Sequence, residues 1–97
     1  MTLTVLAMTT LRPGGEAALQ RYMEVVGPLM DKAGARLVSR HQVQETLSGA
    51  EPPQFVSLIE YPDAAAVRMV FENPDYLALK PTLAEAFSRY DLCLLDS

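Results

Sequence analysis

Tryptophan is absent from the 97 residues, and cysteine and histidine occur once each, as Cys93 and His41. A single thiol rules out an internal disulfide and a cysteine-based metal cluster. One histidine leaves no His-rich ligand spacing, so no metal site is expected. Cations are also few. Eight Lys and Arg, scattered along the chain, stand against twelve acids and give a net charge of −4. Nucleic acid and anionic membrane surfaces demand clustered cations, so neither is expected as a partner. No stretch approaches the roughly 18 apolar residues of a membrane span. The opening MTLTVLAMTTLRPGG lacks a basic n-region and is broken by threonines, so it is not read as a signal peptide. A cytoplasmic protein is expected. The chain also has no phosphate loop, no dinucleotide fingerprint and no Gly-x-Ser-x-Gly elbow, and no cofactor is expected.

What remains is ordinary globular material, 49% hydrophobic and 21% charged. Its length fits one domain over residues 1–97, with little area for a private core, so a partner subunit is expected. Thr2–Thr9 alternates as a strand with apolar groups on both faces, and Arg12-Pro13-Gly14-Gly15 breaks it. Gly15–Lys32 carries Leu19, Tyr22, Met23, Val26, Leu29 and Met30 on one helical stripe. Gly27-Pro28 predicts a kink or break inside that helix, and Gly34 closes it. Arg36–Leu47 is the most polar strand, with Leu37, Ser39 and His41 on one face and Val38, Arg40 and Gln42 on the other. Ser48–Pro53 is a loop. Gln54–Tyr61 is the third strand. Asp63 caps a helix over Ala64–Glu72, Asp75–Phe87 is a further helical piece interrupted at Pro81, and Tyr90–Leu95 is the last strand.

The order β-α-β-β-α-β predicts an α+β, ferredoxin-like fold: a four-stranded antiparallel sheet with its helices on one face. The other face is apolar as well, and a bare face of that kind exceeds the usual patch on a monomer. Packing two sheets face to face would cover it, so a homodimer is expected.

The run Gly34-Ala35-Arg36-Leu37-Val38-Ser39-Arg40, then Ile59-Glu60-Tyr61-Pro62 with Ala65-Ala66, then Asn73-Pro74-Asp75-Tyr76 and Lys80-Pro81, resembles the domain-of-unknown-function family numbered 1330. The resemblance spans most of the chain and implies the dimeric α+β barrel superfamily. Two departures stand out. The family usually shows Gly-Gly where this chain has Gly34-Ala35, and it often carries an arginine after Lys-Pro, where this chain has Leu83. If that arginine binds ligand, this chain has lost it or replaced it with Arg89 or Lys80. The superfamily includes cofactor-free monooxygenases, haem-handling enzymes, lactone isomerases and ligand-sensing domains, and fold does not choose among them.

His41 and Tyr76 are the candidate acid-base groups. Against this, His41 also reads as a strand histidine with a satisfied ring, and Tyr76 as a packed tyrosine. Arg40 could fork onto a carboxylate ligand; equally it could pair with Glu60 across the ladder or with a partner chain. Arg40, Glu60, Asp75 and Tyr76 are expected to gather near one end of the sheet, with Lys80 a further ligand-binding candidate. Tyr22 and Tyr61 read as core. The function expected is a small homodimeric protein, its reaction unknown, with a cavity for a small organic ligand between sheet and helices or at the dimer interface, and the alternative is a cofactor-independent monooxygenase or isomerase working through His41 or Tyr76.

Overall fold

The computed structural model describes residues 2–96. Strand β1 (Leu3–Leu11) leads to helix α1 (Glu16–Ala33), then β2 (Arg36–Gln42), β3 (Phe55–Tyr61), α2 (Ala64–Phe71), α3 (Pro74–Leu77), α4 (Lys80–Ala86) and β4 (Phe87–Leu95). The sheet order is β2-β3-β1-β4 with every pairing antiparallel, so the first and third strands are central, as the split βαβ motif requires.

Local chemistry explains most boundaries. The Asp63 carboxylate accepts the Ala66 N–H at 2.8 Å and starts α2. The Asn73 side chain accepts the Asp75 N–H at 2.8 Å and starts α3, with Pro74 following in the first turn. Gly34 adopts φ 75°, the left-handed conformation that ends α1. A side chain at Gly15 would collide with the Glu85 carbonyl oxygen, so only glycine lets α1 start against the end of α4.

Four expectations are corrected. Of the kink or break expected at Gly27-Pro28, the break does not occur, and α1 is continuous there. Proline removes one backbone bond, and the buried Val26 and Ala33 on either side of it hold the helix by packing. The second strand ends at Gln42 rather than Leu47, and the last begins at Phe87 rather than Tyr90. The break in the second helical region falls between Leu77 and Lys80, which leaves Pro81 in the first turn of α4, where a missing N–H is tolerated.

The helices cover the sheet face that carries Val5, Ile59, Tyr61 and Leu92. Buried side chains form two clusters on that side, one around Val5, Tyr61 and Val70 and one around Ala18, Ala86 and Phe87. The opposite face presents Leu6, Met8, Val56, Leu58 and Cys93, and among the described residues no helix lies over it. Edge strand β2 is exposed at six of its seven positions, Leu37 and Val38 among them.

Register in β2 decides where the polar residues go. Leu37 lies opposite Ile59 and Ser39 opposite Leu58, so Val38 is an extra residue, a β-bulge. The bulge reverses the parity of the strand. Leu37 and Arg40 therefore share the helix-side face, while Arg36, Ser39 and His41 share the open one. Simple alternation placed Leu37 and His41 together, and the structure separates them.

Candidate functional site

Where the two buried clusters meet, the helix side of the sheet holds a cleft of about 310 Å³. Its floor is low because the residues there are small. Ala7 and Ser57 face each other across β1 and β3, and Arg40 lies opposite Ser57 from β2. Leu19, Tyr22, Met23 and Met30 of α1 form the wall, with Phe87 at one end. The volume sits at the lower end of the range for small-molecule sites, and the lining matches their usual pattern of apolar walls with few polar groups.

Arg40 is the cation at this cleft. Its guanidinium lies over the Phe55 ring, 4.5 Å from the centroid, a cation–π contact that holds it in place without neutralising it. Among the described residues Arg40 takes part in no ion pair. The expected partner, Glu60, instead receives the Arg36 guanidinium at 3.0 Å, because Arg36 is the residue directly opposite Glu60. The pair lies on the open face, so Glu60 and Arg40 are on opposite sides of the sheet.

Tyr22 carries the cleft's second polar feature. Its hydroxyl lies 3.0 Å from that of Tyr90, which lies 3.0 Å from that of Tyr76. Three phenols thus form one hydrogen-bonded chain from α1 through β4 to α3. Edge-on ring contacts brace it: Tyr22 against Phe87 at 5.3 Å, Tyr22 against Tyr90 at 5.7 Å, and Phe71 against Tyr76 at 5.1 Å. Burial pushes the Tyr22 and Tyr90 phenols above their ordinary range, and for Tyr90 the neighbouring tyrosines push the same way. Burial likewise raises Tyr61 to about 12. These groups are neutral hydrogen-bond donors at physiological pH and poor bases.

The sequence candidates thus scatter. Tyr76 joins the phenol chain and Arg40 lines the cleft. His41 lies on the open face opposite Val56 and is exposed. Asp75 borders a separate groove between α1 and α3 that Glu24 and Lys32 also line. Lys80 is exposed at the start of α4, with no ion pair among the described residues. The expected gathering of Arg40, Glu60, Asp75 and Tyr76 does not occur, since the bulge turns Arg40 away from Glu60. Sequence reasoning missed Tyr22 and Tyr90 as polar groups and Ala7 and Ser57 as the space above the floor. Small residues inside strands otherwise built of Val, Leu and Ile were the available signal. Among the described residues no group of three or more His, Cys, Asp and Glu is placed to hold a metal ion. Nor, among the described residues, is any helix long and apolar enough to cross a membrane.

Solved structures share this architecture. The RPA0582 protein of unknown function from Rhodopseudomonas palustris superposes with a TM-score of 0.84 at 24% identity, over 99% of this chain and 82% of that one. A dimeric protein of unknown function and ferredoxin-like fold from Bacteroides fragilis matches at 0.59 and 14% identity, over 99% and 96%. SnoaB, a cofactor-independent oxygenase from Streptomyces nogalater, matches at 0.62 and 14% identity, over 99% and 92%. These likenesses show the fold alone. No curated protein matches the sequence. The model of the domain of unknown function DUF1330 matches residues 4–97, and the chain belongs to that family.

Proposed function

We propose that the protein is a homodimer that binds a small organic molecule in the helix-side cleft, with Arg40 as the anchor for an anionic group. The observation that carries this reading is Arg40 itself. A guanidinium is held at an apolar cleft by an aromatic ring, with no carboxylate paired to it among the described residues. A planar fork of donors in that setting suits a carboxylate or a similar oxyanion.

Dimerisation rests on surface. The chain exposes 6447 Å², whereas a compact monomer of its mass exposes about 5,500 Å². The molecule is a slab of 35 × 31 × 16 Å with an apolar patch at the centre of its uncovered sheet face. A second copy seated on that patch would remove the excess. Light scattering at micromolar concentration tests it: a dimeric mass is expected, converted to monomer by Leu58→Asp, and a strictly monomeric wild type would refute it. The cleft is tested by titrating benzoate into the wild type and Arg40→Gln. Binding lost in the variant while the fold is kept is the expected result. Equal binding by both would remove Arg40 from the site.

The second reading is a cofactor-independent monooxygenase or isomerase. It is favoured by one observation, the bond that ties the Tyr76 hydroxyl through Tyr90 to Tyr22 at the cleft. In that reading Tyr76 acts through the chain. His41 could take part only on the other side of the sheet.

A further inference from the structure

The phenol chain restricts what the cleft accepts. Three hydroxyls carry three protons, and the two contacts between them use two. Among the described residues none of the three hydroxyls makes any further hydrogen bond to the protein, so one O–H has no protein acceptor. Tyr22 is the member of the chain that lines the cleft, and burial holds its phenol protonated. With two phenols behind it able to reverse direction together, Tyr22 can present a donor to a ligand while the chain stays bonded.

The sheet also sets a length. Phe55, Thr9 and Tyr90 lie in register across β3, β1 and β4. Arg40 sits above the first, Thr9 lines the cleft, and Tyr90 bonds Tyr22 at the far end. Two strand spacings, about 10 Å, therefore separate the strand position of Phe55, beneath the cation, from that of Tyr90, bonded to the phenol at the cleft. That is room for one flat ring with a polar substituent at each end.

We propose that the ligand is a planar organic acid about one ring long, its carboxylate on Arg40 and a hydrogen-bond-accepting oxygen, a ketone or enolate, on the Tyr22–Tyr90–Tyr76 chain. This deepens the cleft reading above and rests on it. Donor-only or apolar groups at the phenol end are disfavoured, because they leave a partly buried O–H unpaired.

Three probes of one size test the idea, measured by calorimetric or ligand-observed NMR titration of the full chain. 4-Acetylbenzoate has both features, 4-isopropenylbenzoate replaces the carbonyl by an isosteric alkene, and 4-acetylbenzamide removes the charge. In the wild type 4-acetylbenzoate should bind about tenfold more tightly than the alkene, what one hydrogen bond supplies, and the amide should bind more weakly than either acid. Tyr22→Phe should abolish the difference between the two acids. Equal affinity of the two acids for the wild type overturns the proposal and leaves the Arg40 cleft standing, as does a difference that survives Tyr22→Phe. Binding of neither acid removes both. The wild-type comparison decides even if the variant fails to fold.

Discussion

Tyr90→Phe deletes one oxygen from the middle of the phenol chain and leaves every ring in place. The ring's edge-on contact with Tyr22 at 5.7 Å and its tilted contact with Phe87 at 5.0 Å should survive. Both hydrogen bonds go, and the hydroxyls of Tyr22 and Tyr76 lose their shared partner. Each bond contributes about 0.5–1.5 kcal/mol net, and a fully buried orphan costs about 1–3 kcal/mol. The hydroxyls are only partly buried, so water recovers some of that, and about 2–3 kcal/mol is expected in total. Removing an end of the chain, by Tyr22→Phe or Tyr76→Phe, breaks one bond and should cost about 1 kcal/mol. In a domain whose whole stability is of order 5–15 kcal/mol the difference is measurable. Urea unfolding followed by far-UV circular dichroism, at one fixed protein concentration because a dimer is expected, gives all three values. The reasoning fails if Tyr90→Phe costs no more than either end variant, since the central hydroxyl would then not hold two partners in solution.

The raised phenols predict an alkaline limit. Tyr61 stays neutral in the fold up to about 12, whereas in the unfolded chain it ionises near 10, so stability is unaffected below pH 10 and falls between 10 and 12. Tyr61 alone accounts for roughly 2–3 kcal/mol of that loss, with Tyr22 and Tyr90 acting in the same direction; unfolding midpoints that stay flat through this window would contradict it. Ser57→Leu should fill the cleft floor and abolish benzoate binding with the melting temperature unchanged or higher. Retained binding would place the ligand elsewhere.

Much of the fold was written locally and could be read that way. The Asp63 cap, the Gly34 stop and the alternation of β1 and β3 each depend on residues within a few positions of one another. The site depends on contacts between distant parts of the chain. Tyr22 and Tyr90 are 68 positions apart, and nothing in either local pattern tells a hydroxyl-bonded tyrosine from a core one. Tyr90 reads as one more apolar position in a strand. The low floor at Ala7 and Ser57 becomes a cavity only once the register pairs them.

The Val38 bulge is the sharpest case, because one residue moves Arg40 from one side of the sheet to the other. Strand β2 is an edge, so only one ladder holds it and an extra residue is tolerated there. Two effects choose the bulge over a regular strand. The pairing on its far side sets Arg40 opposite Ser57 and over Phe55, and His41 opposite Val56 on the open face. The pairing on its near side sets Arg36 against Glu60. A regular strand anchored at Arg36 would keep the ion pair and send Arg40 to the open face and His41 under the helices. Deletion of Val38 separates the two ends of this argument. It removes the extra residue while leaving both flanking registers as they are, and Val38 is 46% exposed, so little packing is lost. The deleted protein should fold with a loss of about 1 kcal/mol or less, keep Arg40 at the cleft and bind benzoate as the wild type does. Chemical shifts of the Phe55 ring, which lies under the guanidinium, report that placement. A deletion variant that folds but no longer binds, with Phe55 shifts matching those of Arg40→Gln, would show that the bulge itself positions the cation and that the flanking registers do not.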